Sequence, residues 1–289
     1  MMSESEMTDL RSATARIAVL GLGEDGADRD VTTGSMGPLG GRAARVAAVA
    51  KKACVVCGWF AVEEVFAALG GGVSVCGEVP EGYRAGPGRR IGSLEGPAGD
   101  LLRGERVALN LLQRLSGIAT LTSRYVDAVA GTGTEILDTR KTTPGFRLLE
   151  RYAVRCGGGV NHRFDLASMA LFKDNHLALA GGVSNLREAV GAARSSGVPV
   201  EIEVETLAEL EPALDLLPDR ILLDNMSPEE VGEACALCRA RGVYSEASGG
   251  ITLENVRLYA RAGTSGISIG ALTHSAPAAD ISFEMEVGS

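Results

Sequence analysis

Two hydrophobic rhythms divide the chain. From Gly131 onward, short apolar runs of strand length recur at 135–137, 170–172, 200–204, 221–223, 243–246 and 266–269, with helical stretches between them. Helix starts are marked by capping boxes at Thr206-Leu-Ala-Glu209 and Ser227-Pro-Glu-Glu230, the second with proline in the first turn. A further helix is expected from Thr252 to its stop at Gly263. Strand–helix units at this spacing predict parallel strands with helices outside. Before Gly131 the pattern is less regular. It predicts a helix over 7–22, a loop through GEDGADRDVTTGSM, an Ala-rich helical piece after Arg42 and a strand over 53–60. A short helix over 62–69 follows, then strands over 73–79 and 90–96, and a helical run over 101–130 interrupted near Ser116-Gly117. This half reads as a small α+β domain on an antiparallel sheet.

Polar residues decide between an open sheet and a barrel for the second half. They gather at the C-terminal ends of the expected strands: Arg140-Lys141, Lys173-Asp174-Asn175, Glu203, Asp224-Asn225, Ser248-Gly249-Gly250 and Gly270. In a (β/α) barrel those ends form one mouth, where active sites are built. No GxGxxG follows the first strand, as a doubly wound nucleotide-binding sheet would need. Six visible strands, against eight in the complete fold, predict an incomplete barrel.

Composition narrows the partners. The chain has 289 residues and a net charge of -9. That balance argues against nucleic acid, which needs a broad basic face. No apolar run approaches the ~18 residues of a membrane span, and the N-terminus lacks a signal peptide's apolar core, so a cytoplasmic protein is expected. Of six cysteines, Cys54/Cys57 and Cys235/Cys238 form CxxC pairs. Roughly 180 residues separate them, against the usual ~15–20 of a zinc ribbon. They are expected to be structural thiols without metal or disulfide, and Cys76 and Cys156 show no partner pattern.

Against this acidic background, cations concentrate in 138–176: Arg140, Lys141, Arg147, Arg151, Arg155, Arg163 and Lys173, with His162 and His176. Arg147, Glu150, Arg151 and Arg155 are spaced as a solvated helix face. Arg140-Lys141 and Lys173 instead end strands, as a small polyanion's site would require. Two glycine turns, Ser248-Gly249-Gly250 and Gly270, fit phosphate, each placed at a helix start. Glu201, Glu203 and Glu205 alternate along one strand face. Buried carboxylates there need a cation, a metal, sugar hydroxyls, or an ion pair with Arg140 or Lys173. Asp224 reaches the same mouth.

These residues carry a resemblance. DTRKTTPG, GGGVNHR, LFKDNH, EIEVE, LLDNM, EASGGI and SIGALTHSAPAADIS, with GEDGADRDVTTGSM and ERVALNLLQRLSGIATLT, resemble the quinolinate phosphoribosyltransferases, the decarboxylating nicotinate-nucleotide pyrophosphorylases of NAD synthesis. The resemblance runs in order through about nine-tenths of the chain. Phe172 and Asp165 depart from it, and Asp165 adds a negative charge near Arg163.

The resemblance implies an N-terminal α/β sandwich (1–116), an incomplete, six- to seven-stranded barrel (117–275) and a tail (276–289) packing back on the sandwich. It implies that Arg106, Arg140, His162, Arg163 and Lys173 bind quinolinate. Lys141, Glu203, Asp224, Ser248, Gly249, Gly250 and Gly270 would bind phosphoribosyl pyrophosphate, with Lys141, Glu203 and Asp224 catalytic. Magnesium would ride on the pyrophosphate, with Glu203 and Asp224 as its protein contacts. A homodimer, or a higher assembly of it, would share active sites, Arg106 coming from the partner. Two rivals remain: a paralogous phosphoribosyltransferase with a different acceptor, and a non-catalytic sugar-phosphate sensor.

Overall fold

The structure, a computed structural model, describes residues 3–286; residues 1–2 of the expected N-terminal domain and 287–289 of the expected tail lie outside the described residues. It divides into two compact units, one of Met1–Ser123, Thr142–Gly158 and Thr273–Ser289, the other of Arg124–Lys141 and Gly159–Leu272. The strands of the first half are β1 Ala43–Ala50, β2 Cys54–Val55, β3 Ser74–Gly77, β4 Arg84–Ala85 and β5 Arg89–Pro97. Those that follow are β6 Glu135–Leu137, β7 Ala170–Phe172, β8 Val200–Val204, β9 Arg220–Asp224, β10 Tyr244–Ser248, β11 Gly266–Ser268 and β12 Ile281–Glu286.

In the first unit an antiparallel sheet runs in the order β12-β1-β5-β3. The Ala-rich segment expected to be helical is its strand β1. Alanine's helix preference is worth less than about 1 kcal/mol per residue. Here it yields to pairing on both edges, from Ala50 opposite Ile281 of β12 to Ala43 opposite Pro97 of β5. The expected strand over 53–60 is cut to Cys54–Val55, because a helix already runs over Trp59–Ala68. Glu81 explains the early start: its carboxylate accepts the N–H groups of Gly58 (2.8 Å) and Trp59 (2.8 Å), capping that helix from outside it. The chain's one tryptophan then lies over the cross-strand pair Gly77–Gly92. A Cβ at Gly92 would stand 2.4 Å from its ring, so only glycine fits.

The helix expected to break near Ser116-Gly117 is continuous over Ala98–Ala128. Those two residues serve packing instead. Ser116 Oγ accepts the Cys57 N–H at 3.0 Å and donates to the Cys57 carbonyl at 3.1 Å. A Cβ at Gly117 would meet the Pro277 carbonyl at 2.1 Å. The expected solvated face over 147–155 is also corrected, since Glu150 and Arg151 of the helix Arg147–Cys156 are buried. Glu150 accepts hydrogen bonds from Arg114 (2.8 Å) and from Thr143 Oγ1 (2.8 Å). All six cysteines are free thiols, both CxxC pairs buried.

The second unit is a six-stranded parallel sheet in the order β6-β11-β10-β9-β8-β7. Among the described residues β6 and β7 do not pair, so the ring stays open there; a single bridge joins Leu137 to Val160. Both capping boxes form, with Pro228 in the first turn of the helix Pro228–Ala240. The helix expected from Thr252 begins only at Val256. Asn255 accounts for the delay: its Oδ1 accepts the Thr252 N–H at 2.7 Å and its Nδ2 donates to the Gly250 carbonyl at 3.2 Å. Among the described residues, no helix is long and apolar enough to cross a membrane.

Candidate active site

The parallel register brings the strand ends of the second unit to one level, and loops carry the polar residues just beyond it. Asp138, fully buried after β6, organises the first of these. Its carboxylate accepts the His162 N–H at 2.8 Å and Asn161 Nδ2 at 2.6 Å, pinning the segment before Arg163 to the end of β6. Arg140, Lys141, His162, Arg163, Lys173, Asp224 and Ser248 line one cavity of about 240 Å³, with Thr139, Leu171, Leu222, Glu246 and Ser268. Arg163 is buried; burial first, and then the charge of Arg140, holds its guanidinium below the usual pKa. Cations crowded into a partly dehydrated cavity favour an anion.

Lys173 follows β7, and its Nζ pairs with Glu203 of β8. Its backbone N–H donates to His176 Nδ1 at 2.9 Å. Glu203 is buried at the wall of a neighbouring cavity that Asp174 and Glu209 also line, so it meets the cationic cavity through Lys173. Glu205 is exposed. Asp224 is half-buried and accepts Asn225 Nδ2 at 2.7 Å. The turn after β10 needs its glycines: Gly249 has φ +90°, and a Cβ there would stand 2.1 Å from Asn225 Oδ1.

The two glycine turns were expected to open helices. The first precedes Val256–Arg261 by a turn held by Asn255, and Gly270 precedes a helix of only four residues, Ala271–His274. Their backbones, rather than a long helix dipole, are what they offer a phosphate. Arg106 is exposed on the helix Ala98–Ala128 in the first unit, beside a cavity lined by Glu24, Asp25, Asn110 and Phe146. Asp165 accepts the N–H groups of Ala167 (3.0 Å) and Ser168 (2.9 Å), closing its own loop.

At the floor of the cavity lies a cluster that the strand-end pattern does not single out. His162 Nε2 stands 3.1 Å from Glu201 Oε2 and 3.0 Å from Glu246 Oε2, both glutamates being fully buried. Burial lowers the His162 pKa, but the close, charged carboxylates of Glu201 and Glu246 outweigh it and push it up to about 9. Glu201 is itself raised, by burial and then by Glu246. His162 Nδ1 accepts the Arg163 N–H at 2.7 Å, which leaves the ring's proton on Nε2. That bond and the raised imidazole pKa agree if the cluster as a whole keeps an extra proton, shared between ring and carboxylates. The signal in the sequence is spacing. Glu201 precedes Glu203 by two residues and Glu246 precedes Ser248 by two, which places both one layer below the mouth. In the first unit Cys57, Glu81 and Cys156 also come together, which CxxC spacing could not indicate.

Comparison with known proteins agrees with this geometry. Residues 30–116 match the quinolinate phosphoribosyl transferase N-terminal domain and residues 118–284 its C-terminal domain. The chain is 40% identical over 266 residues to a probable nicotinate-nucleotide pyrophosphorylase [carboxylating] of Bacillus subtilis, covering 92% of this chain and 91% of that protein. It is 43% identical over 211 residues to the human nicotinate-nucleotide pyrophosphorylase [carboxylating], covering 72% and 71%. Among solved structures, the nicotinate-nucleotide pyrophosphorylase from Francisella tularensis superposes with a TM-score of 0.90 at 34% identity, over 96% of this chain and 97% of that one. With both domain models matched in order and an open six-stranded barrel bearing the cationic cavity, the chain belongs to the quinolinate phosphoribosyl transferase family.

Proposed function

We propose that this chain transfers the phosphoribosyl group of phosphoribosyl pyrophosphate to quinolinate with loss of CO2, giving nicotinate mononucleotide and pyrophosphate for NAD synthesis. One observation carries the reading. A single cavity combines Arg140, Lys141, Arg163 and Lys173 with Asp224 and the Ser248 turn, and Glu203 joins it through Lys173. A pyridine dicarboxylate needs the cations, an ionising ribose the carboxylates, and a phosphate the glycine turn.

The chemistry follows from charge. Arg140, Arg163 and Lys173 hold the acceptor's carboxylates, the guanidinium groups in bidentate fashion. Glu203 and Asp224 hold ribose hydroxyls and stabilise the positive charge that develops as the anomeric C–O bond breaks. Lys141 neutralises the departing pyrophosphate. The pyridine nitrogen forms the new bond to that carbon. The quaternised ring then accepts the electron pair of the breaking C–CO2 bond, and a proton replaces CO2, so the ring serves as its own electron sink. Gly249, Gly250 and Gly270 let the backbone approach the 5′-phosphate.

Magnesium fits the same residues. Glu203 and Asp224 are hard oxygen donors, too few for a closed protein cage, so the ion would be held chiefly by the pyrophosphate. When bound, it adds positive charge against the leaving group.

The active form is a homodimer in which the exposed Arg106 is supplied to the partner's cavity. A symmetric pair can close both mouths with one surface patch. A charged sugar pyrophosphate does not cross membranes, which supports the reading that the work is done in the cytoplasm. The reaction is tested by quinolinate-dependent release of pyrophosphate and CO2 in equal amounts. The shared site is tested by mixing Arg106→Ala with Arg140→Ala subunits. Activity from two inert parents supports it; no rescue in demonstrated heterodimers excludes it.

A further inference from the structure

Glu201, Glu246 and His162 form the floor of the cavity, which His162 and Glu246 line directly, and the reaction above assigns them no chemical step. Two fully buried carboxylates side by side are costly. Barrel packing does not require them: Leu222 of β9 and Ser268 of β11, lining the same cavity, are a hydrocarbon and a hydroxyl. Their common target is His162 Nε2, at 3.1 Å and 3.0 Å. On the ring's other edge Nδ1 accepts the Arg163 N–H at 2.7 Å, and Arg163 Nη1 donates to the Met169 carbonyl at 3.2 Å. Both ring nitrogens thus hold protein groups, and Arg163 is fixed at its backbone and at its tip. Arg220 steadies the pair from below: its Nη1 lies 3.9 Å from Glu246, and it stacks on Tyr244 at 4.5 Å. The three side chains are grouped as metal ligands can be. His162 Nε2 and the two carboxylates are fully enclosed and meet as close charged contacts rather than as angled hydrogen bonds, with the Arg220 guanidinium nearby.

We propose that Glu201 and Glu246 are positioning residues of the acceptor site, holding His162 by Nε2 and, through its Nδ1, setting where Arg163 meets the acceptor's carboxylates. This inference rests on the quinolinate reading above. It adds a second tier to the site, in which specificity for the acceptor depends on residues that act by positioning Arg163.

The test is steady-state kinetics of the full-length enzyme. Turnover of quinolinate by the wild type checks the underlying reading before any variant is compared. Glu201→Gln and Glu246→Gln should each raise the quinolinate KM about tenfold or more, the effect of removing one partner of a buried charged contact. The KM for phosphoribosyl pyrophosphate should stay within about twofold. Adding Glu246→Gln to His162→Ala should cost nothing further, because the glutamate acts through the ring. His162→Asn, which can still accept the Arg163 N–H, should restore much of the loss seen in His162→Ala, and it serves where a glutamine variant folds poorly. Additive losses in the double variant would overturn the proposal. So would equal shifts in both KM values, or no rescue by asparagine.

Discussion

Lys173 and Glu203 form an ion pair across neighbouring parallel strands, one residue beyond the Phe172–Ile202 register pair of β7 and β8. A cation assigned to the acceptor is thereby held by a carboxylate assigned to the ribose. Binding of a dicarboxylate would loosen the pair and leave Glu203 to face the charge that develops on the sugar. Glu203→Ala should lower kcat on the order of 100-fold while raising KM little, because that charge exists only in the transition state. Lys141→Ala should affect affinity for phosphoribosyl pyrophosphate and kcat together, since the contact proposed for it with the pyrophosphate exists in both states. A Glu203→Ala enzyme with normal kcat would remove this residue from the mechanism.

The cluster around His162 gives stability a pH dependence of defined sign. The folded-state pKa of about 9 lies above the ordinary 6.5, so the native protein keeps a proton that the unfolded chain releases between those values. The contribution is complete below about pH 6.5 and is lost as pH rises through about 9. Placing the shared proton on Glu201 does not alter the sign, because that group is raised too. Thermal unfolding should show Tm falling over this window in the wild type and falling less in the Glu201→Gln/Glu246→Gln double variant. Equal slopes would contradict the assignment.

The glycine turn after β10 distinguishes crowding from conformation. Gly250 has φ +60° with open space around a built Cβ, whereas Gly249 combines φ +90° with a 2.1 Å clash on Asn225. Gly250→Ala should cost about 1–2 kcal/mol of backbone strain. Gly249→Ala must also displace Asn225, the neighbour of Asp224, and should raise the KM for phosphoribosyl pyrophosphate about tenfold more than Gly250→Ala does. Similar effects from both substitutions would show that the crowding at Asn225 is irrelevant to the site.

The barrel was legible because its signals are local. Capping boxes at Thr206 and Ser227, and polar residues at or shortly past the ends of the apolar runs, can be read from one short window. The failures had non-local causes. β1 is a strand because β5 and β12, the latter more than 200 residues away, pair with its edges. The helix at Trp59 starts where Glu81 reaches back to cap it. Ser116-Gly117 looked like a break and is a contact with Cys57 and Pro277. The cations of the cavity could be named from sequence, since strand ends converge by topology. Of the clamp on His162, spacing places Glu201 and Glu246 one layer below the mouth, but their convergence on one ring from β8 and β10, with β9 between them, is not in the sequence.

The central claim is a cavity built for two carboxylates, and acceptor discrimination tests it most directly. Initial rates with phosphoribosyl pyrophosphate should be measured against quinolinate and nicotinate in parallel. A site whose cations are left partly unpaired by a monocarboxylate should favour quinolinate in kcat/KM by a factor on the order of 10⁴. Comparable values for the two acids would contradict the account.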